Sequence, residues 1–359
     1  MTTLRFYQGL ATIGGTIVDI QTEAARCLFD FGLVYDPRID ARVLPRPDAC
    51  VHDGLMTGSL APIEGVYGQE ALRGLPLKAY GQTQPEPFVL ISHMHIDHMG
   101  ALPTLAEDVE VFLSEDSLRL YRGLRNSGDL PSGYHRNTVG LRPMRWRQKG
   151  DMRFRAIPVD HDVPGACGFE IETPDGRICY TGDLRLHGRY GDKSLVFADA
   201  VQHADVCIAE GTTVSFIEDF DAVEPTGSLE GVRTEALVEQ EIVEAAQANG
   251  GMVFLNLYRR NVERVNTLHR ALKSAGRQLV MQCETAVLYR QFYPDEPVAV
   301  FAPSPGKRKL PHAEAVSGDM LRAHPARYAL DLPYERLLET LDFDPAASLY
   351  IHSDGVPLG

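Results

Sequence analysis

The sequence predicts an α/β fold: sheets packed on one another and covered by helices, with a further α/β unit in the second half of the chain. Three observations carry that expectation. Apolar runs bounded by turn residues recur through residues 4–34 and 169–180, the pattern of paired strands. After residue 88 such runs alternate with short helical patterns, as they do where helices cover the outer faces of sheets. Residues 234–281 then read helix, strand, helix, strand, the order of a parallel sheet.

Taken in order, residues 4–34 read as a hairpin followed by a third apolar run, Arg26-Cys27-Leu28-Phe29-Asp30-Phe31-Gly32. Gly14 and Gly15 between the first two runs suit a turn or a close backbone approach. Residues 36–87, rich in Pro and Gly, read as a long irregular excursion of the kind that forms functional loops or lids. Phe88-Val89-Leu90-Ile91 is a buried strand, and a helix is expected to open near Gly100, over residues 101–105. Strand ends follow at 155–166 and 177–184. They are linked by Phe169–Glu172 and the turn Thr173-Pro174-Asp175-Gly176, a hairpin that brings His161 and Asp183 together. Residues 234–248 form an amphipathic helix with Leu237, Ile242, Ala245 and Ala246 on its apolar side. Residues 252–257 and 278–281 are buried strands separated by a second helix at 261–274.

Length and composition set bounds. At 359 residues there is room for two domains, or for one with a large insertion. The apolar share of 44% and the charged share of 23% are those of an ordinary globular protein. No apolar run approaches the ~18 residues of a membrane span, and Met1–Phe6 lacks the apolar region of a secretory signal, so a cytoplasmic location with no membrane partner is expected. None of the six cysteines forms a Cys-x-x-Cys pair, and Cys27, Cys179 and Cys207 read as small buried hydrophobes. The net charge of −14 argues against non-specific nucleic-acid binding by the whole surface. Ten Lys and Arg residues from Arg119 to Arg155 nevertheless face only Asp129 and Asp151 locally. That segment reads either as a basic face that tracks a phosphate backbone or as a solvated surface offset by acidic neighbours.

The run Ser92-His93-Met94-His95-Ile96-Asp97-His98 is the most informative stretch. Three imidazoles and a carboxylate directly after a buried strand offer the nitrogen and oxygen donors that Zn²⁺ prefers. Packing does not call for them, and burying such groups without a partner costs several kcal/mol each.

His-x-His-x-Asp-His after a strand resembles the metallo-β-lactamase superfamily. The resemblance implies a metallo-β-lactamase αββα sandwich with two metal ions, Zn²⁺ with Mn²⁺ as the alternative. It places His93 and His95 on metal 1, Asp97 and His98 on metal 2, His161 as the third histidine of metal 1, and Asp183 of Thr181-Gly182-Asp183 as the bridging carboxylate. Asp30 reads as an acid orienting a ligating imidazole, or as a turn residue at a strand end.

Ile208-Ala209-Glu210-Gly211-Thr212-Thr213, then Phe254–Arg264, Ala275-Gly276-Arg277 and Tyr350–Gly359 resemble the β-CASP, ribonuclease J-like branch. That resemblance implies a core over 1–220, an inserted β-CASP-like α/β cap over 221–345 and a return segment toward the core over 346–359. The implied activity is hydrolysis of single-stranded RNA through a metal-bound hydroxide, with Asp97, Asp183 and Glu210 catalytic and Arg259 and Arg260 on phosphate; a homo-oligomer stays open. Two further histidine motifs of the branch do not occur in these residues. Metal 2 is therefore expected to rest on Asp97, His98 and Asp183 and to bind weakly, with His352 the one substitute. Two other readings stand beside this one: a small-molecule hydrolase acting on lactones or thioesters, and a catalytically impaired RNA-binding relative.

Overall fold

The computed structural model describes residues 1–10, 12, 14–34, 45–130, 133–211, 233–302 and 310–353. Three sheets organise them. The first holds β1 (Thr3–Gln8), β2 (Ile17–Gln21), β3 (Arg26–Phe29), β4 (Pro87–Ile91), β5 (Val111–Ser114) and β6 (Thr138–Leu141), in that spatial order. β1, β2 and β3 form an antiparallel meander, and β3 through β6 run parallel. The second holds β7 (Arg147–Lys149), β8 (Met152–Pro158), β9 (Cys167–Thr173), β10 (Gly176–Tyr180) and β11 (Val206–Ile208). Its pairs are antiparallel except β10 with β11.

The inner faces of these sheets bury Val18, Phe29, Leu90, Phe154, Phe169 and Tyr180 against one another. Phe29 stacks on Tyr180 at 4.6 Å between ring centroids, which ties the ends of β3 and β10. Alternation along the strands explains the arrangement: Met152, Phe154 and Ala156 point inward while Arg153 and Arg155 point out.

Helices α1 (Cys50–Thr57), α2 (Gln69–Leu72), α3 (Ile96–Met99), α4 (Glu115–Ser127) and α5 (Gly191–Val201) cover this pair of sheets. The two sheets packed face to face between these helices make the expected αββα layering, and the chain carries an additional domain. Ser114 caps α4 by accepting from the Ser117 amide at 3.0 Å, and Glu115 and Asp116 lie in the first turn, where negative charge is favourable. The expected lid is a packed element: Leu60, Ile63, Val66 and Tyr67 are buried in the main core, although Pro and Gly keep their backbone irregular. Cys207 is exposed on the edge strand β11, whereas Cys27 and Cys179 are buried as expected.

The additional domain is a third sheet of six parallel strands, ordered β15-β14-β13-β16-β12-β17. They are β12 (Val253–Leu257), β13 (Gln278–Met281), β14 (Ala299–Phe301), β15 (Glu314–Val316), β16 (Tyr328–Asp331) and β17 (Leu349–Ser353). Helices α6 (Glu235–Ala248), α7 (Val262–Ser274), α8 (Cys283–Phe292) and α9 (Gly318–Ala323) accompany them. On α6, Ile242 and Ala246 are buried as expected and Val238 packs on the core, whereas Leu237 is 41% exposed. Arg277 is buried and donates to the carbonyls of Ala246, Asn249, Gly251, Pro325 and Tyr328, clamping the sheet end to its helices. Within the expected return segment, residues 349–353 form β17, which pairs in parallel with β12 as an edge strand. The expected boundary at 221 and residues 354–359 lie outside the described residues.

Candidate metal centre

β4 is buried along its length and delivers Ser92 and His93 to the rim between the two inner sheets. The chain turns there into α3, with His95 at its N-cap. The helix therefore opens inside the motif, at Ile96 rather than near Gly100, and residues 102–104 make only a single 3-10 turn. One α-turn brings Asp97 and His98 beside His93. The turn is held from below: Phe31 N donates to His98 O at 2.8 Å and Gly15 N to Asp97 O at 2.9 Å. A Cβ on Gly32 would lie 1.6 Å from the Asp97 carbonyl oxygen, so only glycine fits at that position.

Three imidazole nitrogens meet at one point. His93 Nε2 lies 3.0 Å from His95 Nδ1, which lies 3.2 Å from His161 Nε2. Tetrahedral Zn–N bonds of about 2.05 Å place neighbouring ligand nitrogens about 3.3 Å apart. Asp183 closes the group with Oδ2 at 3.8 Å from His93 Nε2 and 3.9 Å from His161 Nε2. Its other oxygen lies 3.3 Å from His98 Nε2, itself 3.5 Å from Asp97 Oδ2. Two donor groups thus share Asp183: His93, His95 and His161 on one side, Asp97 and His98 on the other, each within 4.8 Å. Gly182 permits this placement, since its φ of 56° turns the chain after β10 against Ser92.

Asp30 is the hub beneath the donors. Fully buried, it accepts from the Ser92 amide (2.7 Å), Ser92 Oγ (2.8 Å), His98 Nδ1 (2.8 Å) and the Tyr180 hydroxyl (2.5 Å). Ser92 Oγ in turn lies 2.9 Å from His93 Nδ1. The network places a proton on Nδ1 of both rings, so Nε2 is the nitrogen that each turns toward the shared centre. Sequence reasoning does not single out Ser92 or Tyr180. Neither residue type signals such a role, and their convergence on Asp30 is a tertiary fact.

The electrostatics suit cation binding. Burial, reinforced by the neighbouring imidazoles, holds His93 well below the ordinary histidine range. Burial likewise brings His161 down to about 4 against the pull of Asp162. Both rings are therefore neutral ligands at neutral pH. His98 is raised because the carboxylates of Asp30, Asp183 and Asp97 outweigh its burial. Burial pushes Asp183 up, but the His98 hydrogen bond and charge hold it below the carboxylate range. The donor set of imidazoles and carboxylates fits Zn²⁺ or Mn²⁺. A second observation agrees: the buried Oδ1 of Asp162, beside this cluster, has no aligned hydrogen-bond donor, as a group awaiting a cation-bound partner would.

The remaining expected site residues are placed differently. Glu210 is exposed at the end of β11, and its carboxylate accepts from the Leu184 amide at 2.9 Å, bracing the backbone next to Asp183. Arg260 is 4% exposed and donates to Met94 O (2.7 Å) and Asp129 O (3.2 Å), so its guanidinium is committed to the fold rather than open to phosphate. Arg259 is 42% exposed, 3.8 Å from Asp129. His352 sits on β17 with Nδ1 3.0 Å from Asn256 Nδ2, outside both donor groups. Within the basic segment Arg153, Arg155, Arg142 and Lys149 pair with Glu172, Glu170, Glu115 and Glu110, which supports the offset-surface alternative. Sequence reasoning misses Asp162 as a neighbour of His95, although an acid directly after His161 is a readable signal. A cleft of about 310 Å³ with His161 on its wall is also lined by Glu263 and Phe292 of the third-sheet unit, so the two units share it.

Comparison with known proteins places the chain among related sequences and folds. Residues 59–225 match the family model of the β-lactamase superfamily domain. Ribonuclease J of Thermus thermophilus is 26% identical over 243 residues, 64% of this chain and 40% of that protein. Ribonuclease J of Mycoplasma genitalium is 24% identical over 181 residues, 50% of this chain and 30% of that protein. The chain spans less than half the length of these curated relatives. A solved protein of unknown function from Enterococcus faecalis V583 superposes on 100% of this chain and 82% of its own, with a TM-score of 0.80 and 27% identity. Among the described residues no helix is long and apolar enough to cross a membrane.

Proposed function

We propose, from the premise that residues 59–225 are a β-lactamase-superfamily domain, that the protein is a metal-dependent phosphodiesterase acting on single-stranded RNA. The observation that carries the reading is the sharing of Asp183 between two donor groups drawn from separate stretches of chain. Two divalent cations held there supply Lewis acidity and an activated water at neutral pH. His93, His95 and His161 would hold the first, Asp97 and His98 the second, and Asp183 both. Asp30 and Ser92 fix which ring nitrogens face inward. Glu210 keeps the Asp183 loop in place through the Leu184 amide. The likeness to two ribonucleases J supports RNA as the substrate class, and the cleft shared with the third-sheet unit supports a substrate larger than the reacting group. In this reading the third-sheet unit corresponds to a β-CASP-like cap, and Arg259, 42% exposed and 3.8 Å from Asp129, is the arginine that would turn to a phosphate.

The test couples metal quantification to cleavage of an end-labelled single-stranded RNA. Two equivalents of zinc or manganese and metal-dependent cleavage are expected, and Asp183→Ala should abolish both cleavage and retention of the second equivalent. Wild-type cleavage by that variant overturns the bridging role. Turnover of lactones or thioesters with no cleavage of RNA or generic phosphodiesters overturns the substrate class.

A further inference from the structure

We propose that Asp162 is a positioning residue of the first metal group, presenting its carboxylate to His95 Nε2 so that His95 Nδ1 stays free to bind a cation. The inference rests on the metal reading above but not on RNA as substrate.

Every inward-facing ring nitrogen is set by what its ring does at the other nitrogen. For His93 that outer partner is Ser92 Oγ, and for His98 it is Asp30. His95 is the reverse case, turning Nδ1 inward and Nε2 outward. The acid within reach of that Nε2 is Asp162, with Oδ1 3.1 Å away. The same oxygen lies 3.3 Å from His161 Nε2, so it sits against two of the three imidazoles at once. It is buried and lacks an aligned hydrogen bond, although the separation is already right for one. A small rotation of the His95 ring, of the kind coordination imposes, turns the N–H onto the oxygen and removes a buried, unsatisfied acceptor. Hydrogen bonds of this kind are often poorly aligned until a site is occupied.

Several contacts fix the backbone that leads into Asp162. Arg185 Nη2 donates to His161 O at 3.2 Å while its Nη1 is 2.8 Å from Glu235. The Asp160 amide donates to Ser194 Oγ at 3.0 Å, and the Arg185 amide donates to Asp160 O at 2.9 Å. The backbone on the N-terminal side of Asp162 is therefore fixed before any cation arrives. An acid held in place against an imidazole is what an outer partner of a ligand requires, and such partners carry about 10–100-fold in metal affinity.

The experiment titrates zinc into the full chain against a chromophoric chelator, for wild type, Asp162→Ala and Asp162→Asn, and records ¹⁵N-histidine NMR spectra of each, zinc-free and zinc-loaded. The expected result is a loss of about 10–100-fold in affinity for the tighter equivalent in Asp162→Ala. A smaller loss is expected in Asp162→Asn, which keeps a neutral acceptor and the side-chain volume. The zinc-loaded wild type should show a slowly exchanging His95 Nε2–H that disappears in Asp162→Ala. A purely structural role would lower the melting temperature of the zinc-free variants and leave that signal intact. Wild-type zinc affinity in both variants, or an unchanged His95 signal, overturns the role of Asp162 while the metal reading stands. Failure of the wild type to bind zinc overturns both.

Discussion

The hub beneath the donors gives the sharpest prediction. Asp30→Asn preserves volume and suits the backbone, because Asp30 has a φ of 57° and Asn tolerates that left-handed region. The chemistry changes. The Ser92 amide is a fixed donor 2.7 Å from Oδ1, so the amide oxygen of Asn must take that position. Its NH₂ then replaces Oδ2, where Ser92 Oγ, Tyr180 and His98 now donate. Both hydroxyls can turn and accept. His98 can accept only by moving its proton to Nε2, the atom that faces Asp97 and Asp183. The lone pair meant for a cation is lost. Second-sphere losses of this kind amount to about 10–100-fold in affinity, or about 1.4–2.8 kcal/mol.

Zinc titration with stoichiometry resolved should show weakened binding at the Asp97–His98 group, with a smaller effect on the His93 group, which Asp30 reaches only through Ser92. Asp30→Ala is a harsher change. It leaves four buried donors unpaired at about 1–3 kcal/mol each, comparable to the about 5–15 kcal/mol that holds a typical domain folded, so that variant should not fold. A folded Asp30→Asn protein binding both zinc equivalents with wild-type affinity would refute the tautomer argument.

Buried charges in the third-sheet unit give two further outcomes. Arg260→Ala removes donors from Met94 O and Asp129 O and should cost about 2–5 kcal/mol in urea denaturation, with weaker zinc binding because Met94 lies between His93 and His95; an unchanged unfolding midpoint counts against an anchoring role. Burial raises Asp331 to about 6, opposed by hydrogen bonds from Thr285 and Gln282. A folded-state pKa above the unfolded one contributes stability at low pH that is lost as pH rises through 6, so Asp331→Asn should exceed wild type by roughly 3 kcal/mol at pH 8 and about half that at pH 5. A difference that does not vary with pH would show that Asp331 ionises without penalty.

Local chemistry is legible in the sequence where periodicity and turn residues report it. The β9–β10 hairpin, α6, α7, β12 and β13 lie within a residue or two of expectation, because each is an apolar pattern ended by Gly, Asn or a turn. The packing of residues 60–67 and the placement of β17 were not legible for one reason. Irregular backbone around Tyr67 is packed by distant residues, and β17 is a strand because β12 offers it an edge. No local pattern contains either fact.

The candidate donors themselves were legible in the sequence: His93, His95, Asp97, His98, His161 and Asp183 are polar groups in the turns and the short helix that follow buried strands, and packing alone gives no reason to keep them. What surrounds them was decided by the tertiary structure. Ser92 and Tyr180 join Asp30 from strands far apart in the chain, Arg260 is drawn inward to two carbonyls, and Asp162 faces His95. The physical reason is that a ligand type is a property of one side chain. A tautomer, a buried unpaired oxygen or a committed guanidinium is a property of the pairs that folding creates, and those pairs exist only once the sheets close.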